Sequence, residues 1–499
     1  MELRSRRGRV GTRDRSSASD FSNREADMRD TITGPSRRDA LKLGAGVGLL
    51  GVGCGSDKSV DTHAEDTSVT EVEGAAPREE EPAPWSPSET LDTDRFPFGV
   101  QVGDATQATA RVHLRTHAGP VDMVLMVADG DGWSEVSRET GLTPSAVPVT
   151  VDSGPEGMAV VVDLTDLSGD TAYSVVFIEG SLRSHVARFR TATEAGSNRL
   201  VIFGATSCFG GNDPWPSLLQ AATEQLDFFA LLGDSVYADG STSVSDYRAH
   251  WDLALSTEGL VAVSASTSLI VTWDDHEVDN NWDIEEIGEE RLAIASACFR
   301  EALPFVDSGV GTGIWRKLNW GDTLDVLVLD GRGERDYTTL QYMSVEQETW
   351  LLTELAASTA RFKIILNSVP ITDLNAIFAS GGIADRWEGF PTQRARILSA
   401  IADAGLTGVL WVAGDVHYAQ VGRVDPSGGV ADDVYEVFAG PTGSFLNVAA
   451  DLFVGDPQYE WMVAAYNWCR FECDPVLGTV RVTHIGDDGT ALHDVTLSL

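Results

Sequence analysis

LLGDSVYADG, residues Leu231 to Gly240, sets an aspartate and a tyrosine three positions apart directly after an apolar run. The run itself, Leu226 to Leu232 (LDFFALL), reads as a strand of a parallel sheet covered on both faces. The Gly-Asp turn then falls at the strand's carboxyl end, where open α/β sheets place their sites. Asp234 and Tyr237 can grip one metal ion there, and a phenolate ligand suits a hard, oxidised iron better than zinc. Taken alone, the same letters also fit an Asx turn beside a packed tyrosine.

Four more segments repeat the pattern of an apolar, β-rich run ending in ligating side chains. They are Leu200–Cys208 (LVIFGATSC), Ser268–Glu277 (SLIVTWDDHE), Phe362–Asn367 (FKIILN) and Val409–His417 (VLWVAGDVH). Five strand ends can thus converge on one sheet edge, offering Cys208, Asp234, Tyr237, Asp275, His276, Asn367, Asp415 and His417. Singly, Cys208 reads as a small buried hydrophobe, either histidine as a satisfied core residue, and Asn367 as a turn former. Their joint placement at strand ends of a βα-rich region is what points to a metal site.

GDSVYADG resembles the GDxxY motif of the dinuclear metallophosphoesterases, purple acid phosphatases included. WDDHEVDNNW and GDVH are similar to segments of the PhoD-type alkaline phosphatases. Cys208 and Asp274-Asp275-His276 favour that branch, because purple acid phosphatases carry an aspartate and a GNH segment at those places. The similarity runs from about Phe96 to the C-terminus and takes in Leu329-Asp330-Gly331-Arg332, MSVEQETWLLTELAAS and DRWEGFPTQRARIL. It implies an α/β fold: a four-layer α/β/β/α metallophosphoesterase sandwich over 198–499, preceded by an all-β fibronectin type III-like domain over 95–194.

The resemblance also implies a ligand set. One ion, ferric iron, would take Cys208, Tyr237, His417 and a shared oxygen of Asp234, since anionic thiolate and phenolate suit a highly charged cation. The second would take the other Asp234 oxygen with Asp275, Asn367 and Asp415. Such an oxygen-rich set selects calcium, or magnesium or manganese, over zinc. Strand alternation leaves Asp274 open as the ligand in place of Asp275, which is preferred because it overlays the asparagine of the GNH pattern. Two such ions would activate a water toward a phosphate ester. His276 is then the expected general acid and Arg332 the expected clamp on phosphate oxygens, although an ordinary salt bridge also fits that arginine.

The expected activity is hydrolysis of phosphate monoesters or diesters. A phospholipase D-like phosphodiesterase is the neighbouring alternative, and an inert surface lipoprotein with a structural metal the distant one. A formal charge of −40 excludes nucleic-acid binding by a basic face. Only Lys42, Lys58, Lys317 and Lys363 supply lysine.

Residues 1–54 read as a polar N-terminus followed by an export signal. Arg37-Arg38 precede LGAGVGLLGVGC, which matches the twin-arginine pattern with a short glycine-rich apolar stretch, and Met28 is an alternative start. That stretch is too short to span a bilayer. Cys54 closes it and is a candidate for lipid attachment, giving a periplasmic, surface-anchored or extracellular protein. Residues 55–94, acidic and rich in Pro, Ser and Thr, read as a flexible tether.

Strands are expected in FGVQVGD, ATARVHLRT, VDMVLMVADG, MAVVVDLTDL, TAYSVVFIEG and HVARFRTAT, at the spacing of a β-sandwich. Leu164 to Leu167 leading to Tyr173 resembles a tyrosine corner. His113, His117 and His185 lack paired ligands and read as surface or packing residues. Cys469 and Cys473 are candidates for a disulfide, and Cys298 for a buried free thiol.

Overall fold

The computed structural model describes residues 73–116, 119–145, 159–374, 385–452 and 458–499. Met28, Arg37-Arg38, Cys54, residues 55–72 of the expected tether and His117 lie outside the described residues. The N-terminal part contributes β1 (Thr90–Leu91), β2 (Gln101–Gly103), β3 (Ala110–Arg115), β4 (Val121–Asp129), β5 (Gly132–Leu142), β6 (Ala159–Leu164), β7 (Ala172–Glu179), β8 (Leu182–Arg183) and β9 (Ala187–Arg190). Then follow β10 (Val201–Thr206), α1 (Pro216–Ala221), β11 (Phe228–Leu232), α2 (Val244–Leu255), α3 (Glu258–Ser266), β12 (Leu269–Thr272) and α4 (Ile284–Ala302). The third group is β13 (Arg316–Trp320), β14 (Leu324–Val328), α5 (Val345–Ala357), β15 (Phe362–Leu366), α6 (Pro391–Asp403) and β16 (Val409–Ala413). The chain ends with β17 (Ala419–Arg423), β18 (Tyr435–Phe438), β19 (Tyr459–Val463), β20 (Asn467–Asp474), β21 (Thr479–Gly486) and β22 (Ala491–Ser498).

Two large mixed sheets face each other. One runs β22-β21-β20-β10-β11-β12-β2-β3-β6 and the other β13-β14-β15-β16-β18-β17-β19. Strand alternation sorts their side chains into layers. In β11, Phe228, Ala230 and Leu232 point to the space between the sheets, where they meet Val326, Ile364 and Val412. Phe229 and Leu231 point the other way, against Leu218, Trp251, Val263 and Phe299 of α1 to α4. On the far face of the second sheet, Leu327, Ile365 and Trp411 pack on Leu351 and Leu355 of α5 and Ile397 and Ile401 of α6.

The helices start where their sequences say they should. Ser243 and Asp246 form a reciprocal capping box on α2, and Ser344 accepts the Gln347 N–H at 3.1 Å to cap α5. Pro391 opens α6, a position that needs no N–H donor.

The strands expected between 95 and 194 surround a core of their own, built on Val112, Val162, Tyr173, Val175 and Phe189. Tyr173 Oη accepts the Ser168 N–H at 2.8 Å, the bond expected of the corner residue. The expected break between 194 and 198 is, however, not a break in the sheet. Gly103 of β2 pairs in parallel with Leu269 of β12, so β2, β3 and β6 extend a central sheet. Asp104 and Arg316 seal this joint with two hydrogen bonds of 2.7 Å while both are buried.

Two further expectations are corrected. The tether is not free up to residue 94: the Ala75 N–H donates to Asp474 at 3.0 Å, Leu200 to the Ala76 carbonyl at 2.8 Å, and Trp133 Nε1 to the Ala83 carbonyl at 2.8 Å. Cys469 and Cys473 are both buried and free. They lie four positions apart on extended β20, about 13 Å by strand rise, far beyond the reach of a disulfide. Cys298 is buried and free on α4, as expected. None of the helices among the described residues is long and apolar enough to cross a membrane.

Candidate metal centre

Six parallel strands end at the same edge. Cys208 follows β10, Asp234 follows β11, and Asp274 to Glu277 follow β12. Across the inter-sheet space, Arg332 follows β14, Asn367 follows β15, and Asp415 and His417 follow β16. The Thr272 hydroxyl donates to the Leu329 carbonyl at 2.8 Å and ties the two edges together.

The backbone is bent to bring the ligating atoms inward. Cys208, Asp234, Asp415 and His417 all take left-handed conformations, with φ of 55°, 54°, 65° and 61°. Non-glycine residues adopt this region at a cost, and such strain gathers at functional sites. Gly233, at φ +102°, shows why a glycine precedes Asp234: a Cβ there would stand 2.7 Å from the Asp274 backbone nitrogen.

Cys208, Asp234 and His417 each bring one ligating atom within 4.8 Å of the others, and so do Asp234, Asp275 and His276. Asp234 belongs to both groups. Tyr237 Oη lies 3.4 Å from Asp234 Oδ2 and 3.4 Å from His417 Nε2, which puts the phenol on the Cys208 side. Asp415 lines one cavity of about 240 Å³ with Asp234, Asp275, His276 and His417.

Asn367 is buried at the same edge, but its amide nitrogen donates to the Val369 carbonyl and its oxygen lies 3.4 Å from Tyr342 Oη. The two adjacent aspartates part company. Asp275 faces the cavity, whereas Asp274 bonds to Arg332.

Arg332 is 2% exposed and also binds Asp385, with Asp275 Oδ1 3.7 Å from its Nη2. In this arrangement it neutralises carboxylates, and the clamp expected of it is not displayed. The arginine that lines the cavity is Arg386.

Several residues that organise the site were not singled out from sequence. Glu277 accepts three backbone N–H groups, from Asp234 at 3.1 Å, Ser235 at 2.6 Å and Asp274 at 2.9 Å, and so holds two strand ends in register. Its place in the WDDHE run was the available signal. Asp239 lies 2.8 Å from His276 Nδ1. Asp385 and Arg386 open the DRWEGF stretch, whose match to the family carried no residue role.

So many buried acids cannot all ionise unaided. Burial first, and then Asp275 and Asp274, hold Asp234 well above the usual carboxylate range. Asp415 is raised in the same way, burial pushes the Cys208 thiol up, and Asp274 stands at about 6 despite Arg332. His417 is driven down to about 4 by burial, then by His276, so it is a neutral imidazole ready to donate a lone pair. Asp234 Oδ1 and Asp274 Oδ2 are buried without a hydrogen-bond partner. An orphaned carboxylate oxygen, a buried thiol and a neutral imidazole in one cluster fit a cation, and the shared Asp234 fits a pair of them.

A model of the family described as PhoD-like phosphatase matches residues 203–468, a span holding every site residue above. Alkaline phosphatase D of Bacillus subtilis (strain 168) is 27% identical over 309 residues, 52% of this chain and 53% of that protein. The match thus spans about half the length of this curated relative. Among solved structures, that of PhoD aligns with a TM-score of 0.68 at 22% identity, over 83% of this chain and 90% of the other. The purple acid phosphatase PPD1 from yellow lupin (Lupinus luteus) seeds aligns with a TM-score of 0.56 at 14% identity, over 80% and 74%. At these identities the two likenesses show a shared fold.

Proposed function

Because this chain belongs to the PhoD-like phosphatase family, we propose that it is an exported, metal-dependent phosphoesterase that hydrolyses phosphate monoesters or diesters. The observation that carries this reading is the position of Asp234, shared by two groups of ligating side chains within one cavity. Cys208, Tyr237, His417 and Asp234 would hold a ferric ion. Asp234 with Asp275, Asp415 and Asn367 would hold calcium, or magnesium or manganese. When bound, the two cations would activate a water and neutralise phosphoryl charge.

The side chains have their own tasks. Asp234, Asp275 and Asp415 form an acidic floor that offers a phosphate no counter-charge until cations bind to it. His276 is raised to about 9: burial lowers it, but the bond to Asp239 and the charge of Asp275 outweigh that. It therefore holds a proton at neutral pH and can deliver it to the leaving oxygen. Arg386, which also pairs with Glu388, stands on the cavity wall, while Arg332 holds Asp274 and Asp385 in place.

The four-layer metallophosphoesterase sandwich and the fibronectin-like module remain the reading of the architecture that best suits this activity. Export by the twin-arginine route, with Cys54 as a lipid-attachment site, completes the proposal. Folded export allows loading before competing copper or zinc is met.

The direct experiment is metal analysis of the purified protein beside hydrolysis of one monoester and one diester reporter. Iron with a hard divalent ion, and turnover of either ester, is expected. A metal-loaded protein inert toward both would move the reading to a surface lipoprotein with a structural metal. Arg37→Lys with Arg38→Lys is expected to retain active protein in the cytoplasm, and undiminished activity outside the inner membrane would overturn the route.

A further inference from the structure

A second cavity of about 500 Å³ adjoins the one at the metal centre. His276, Asn280 and Phe445 line both, so the two spaces meet along one wall. Trp215, Val236, Leu253 and Ala254 give the second cavity apolar walls, beside the polar side chains of Tyr237 and His250. No Asp, Glu, Lys or Arg is among its described lining residues, in a chain carrying a formal charge of −40.

The wall is built rather than incidental. Trp215 is 5% exposed, stacks edge-on against Phe209 at 5.2 Å and donates its Nε1 proton to the Gly210 carbonyl at 3.2 Å. At the rim, Leu253 and Phe445 are 71% and 72% exposed. Large apolar side chains left in water at the mouth of a cavity without carboxylates mark a binding surface when they sit together. Its contents are constrained by its neighbour. Whatever occupies it reaches the metal centre past His276, which lines both spaces.

We propose that this cavity receives the leaving alcohol of the phosphate ester, and that the enzyme prefers esters whose leaving alcohol carries an apolar group of several carbons. The proposal rests on the phosphoesterase reading above. In the reaction, water oxygen bonds to phosphorus, the phosphorus–alkoxy bond breaks, and a proton of the attacking water ends on the alkoxy oxygen, so that ester and water become alcohol and phosphate. The released apolar alcohol then leaves through the open mouth beside Leu253.

Ethyl phosphate and octyl phosphate test this, each as the monoester and as its methyl diester, below micellar concentrations. Their alcohols are equally poor leaving groups and differ in apolar length alone. For the metal-loaded wild type, kcat/KM is expected to be at least about tenfold higher for the octyl ester. Leu253→Asp alters a side chain mostly in water, and Gly211→Phe grows from a position whose Cβ meets nothing within 4 Å. Each is expected to cut octyl hydrolysis about fivefold or more and to leave the ethyl ester within about twofold. Equal hydrolysis of both esters by the wild type, or unchanged octyl hydrolysis in both variants, would overturn the subsite while leaving the phosphoesterase reading intact. Hydrolysis of neither ester would overturn the reading and the subsite together.

Discussion

His276 Nδ1 lies 2.8 Å from Asp239 Oδ1, and the imidazole packs against the Tyr237 ring at 4.1 Å between centroids, tilted by 34°. A carboxylate on one nitrogen and a ring against one face leave the histidine a single orientation and direct its other nitrogen away from Asp239. Asp239 is 41% exposed on its side chain, so it can be removed without emptying a core.

Asp239→Ala is therefore expected to lower kcat by about tenfold, with KM and metal content unchanged, because it frees the imidazole without touching the ligand set. His276→Ala should lose more rate. Steady-state kinetics beside metal analysis of the same samples checks both. A loss of metal in Asp239→Ala would give that residue a structural role instead.

Arg332 and Arg386 should separate cleanly. Removing the buried Arg332 guanidinium leaves Asp274 without its counter-charge and Asp385 with Arg335 alone, and breaking a buried pair costs about 3–5 kcal/mol. Arg332→Ala is expected to unfold at markedly lower denaturant than Arg386→Ala, whose pairing with Glu388 is 3.7 Å long, while Arg386→Ala raises KM for phosphate esters. Unchanged stability in Arg332→Ala, with a raised KM, would restore the clamp first expected of it.

The five apolar runs and the side chains ending them could be read from sequence because a strand buried on both faces needs continuous apolar residues, and the residue after it must turn. Val201–Thr206, Phe228–Leu232, Leu269–Thr272, Phe362–Leu366 and Val409–Ala413 all form strands inside the segments so identified. What escaped had no such signature. β5, GWSEVSRETGL, is an edge strand with mostly half-exposed or exposed positions, so its letters look like loop. The joining of β2 to β12 depends on a pairing between residues 166 positions apart, Gly103 and Leu269, that no local pattern announces. Arg332 follows the same logic: its number in the chain put it at the site edge, but only the arrival of Asp274 and Asp385 decided which way its charge is used.

Colour provides a test of the iron assignment. A phenolate or thiolate on ferric iron absorbs visible light, so the purified protein is expected to be coloured, and Tyr237→Phe should shift or abolish the band while leaving the unfolding midpoint nearly unchanged. Colourless, fully active protein containing zinc alone would remove iron from the proposal.

Asp234→Asn should act in opposite directions with and without metal. In the loaded protein it removes the shared carboxylate, so activity should fall by about 10²-fold or more together with metal content. In chelator-treated protein it removes one member of a buried, mutually repelling set that includes Asp274 and Asp275. The metal-free variant is therefore expected to melt a few degrees above metal-free wild type, about 2–4 °C. Scanning calorimetry with and without chelator reads both effects, and a variant less stable than wild type in both states would show that Asp234 supports the fold rather than the ions.

The thiols supply the last prediction. Cys208, Cys298, Cys469 and Cys473 are all buried and unbonded, and burial raises each thiol above its ordinary pKa. A protonated, inaccessible thiol is a poor nucleophile. A thiol reagent should therefore leave these four unmodified in the native protein and label them all once it is denatured. Because Cys469 and Cys473 are held apart by an extended strand, reductant should not move the melting temperature. A reductant-sensitive melting temperature, or labelling that spares Cys469 and Cys473 after denaturation, would mean that β20 rearranges to let them bond. In that case the strand next to β10, and with it the position of Cys208, would have to be redrawn.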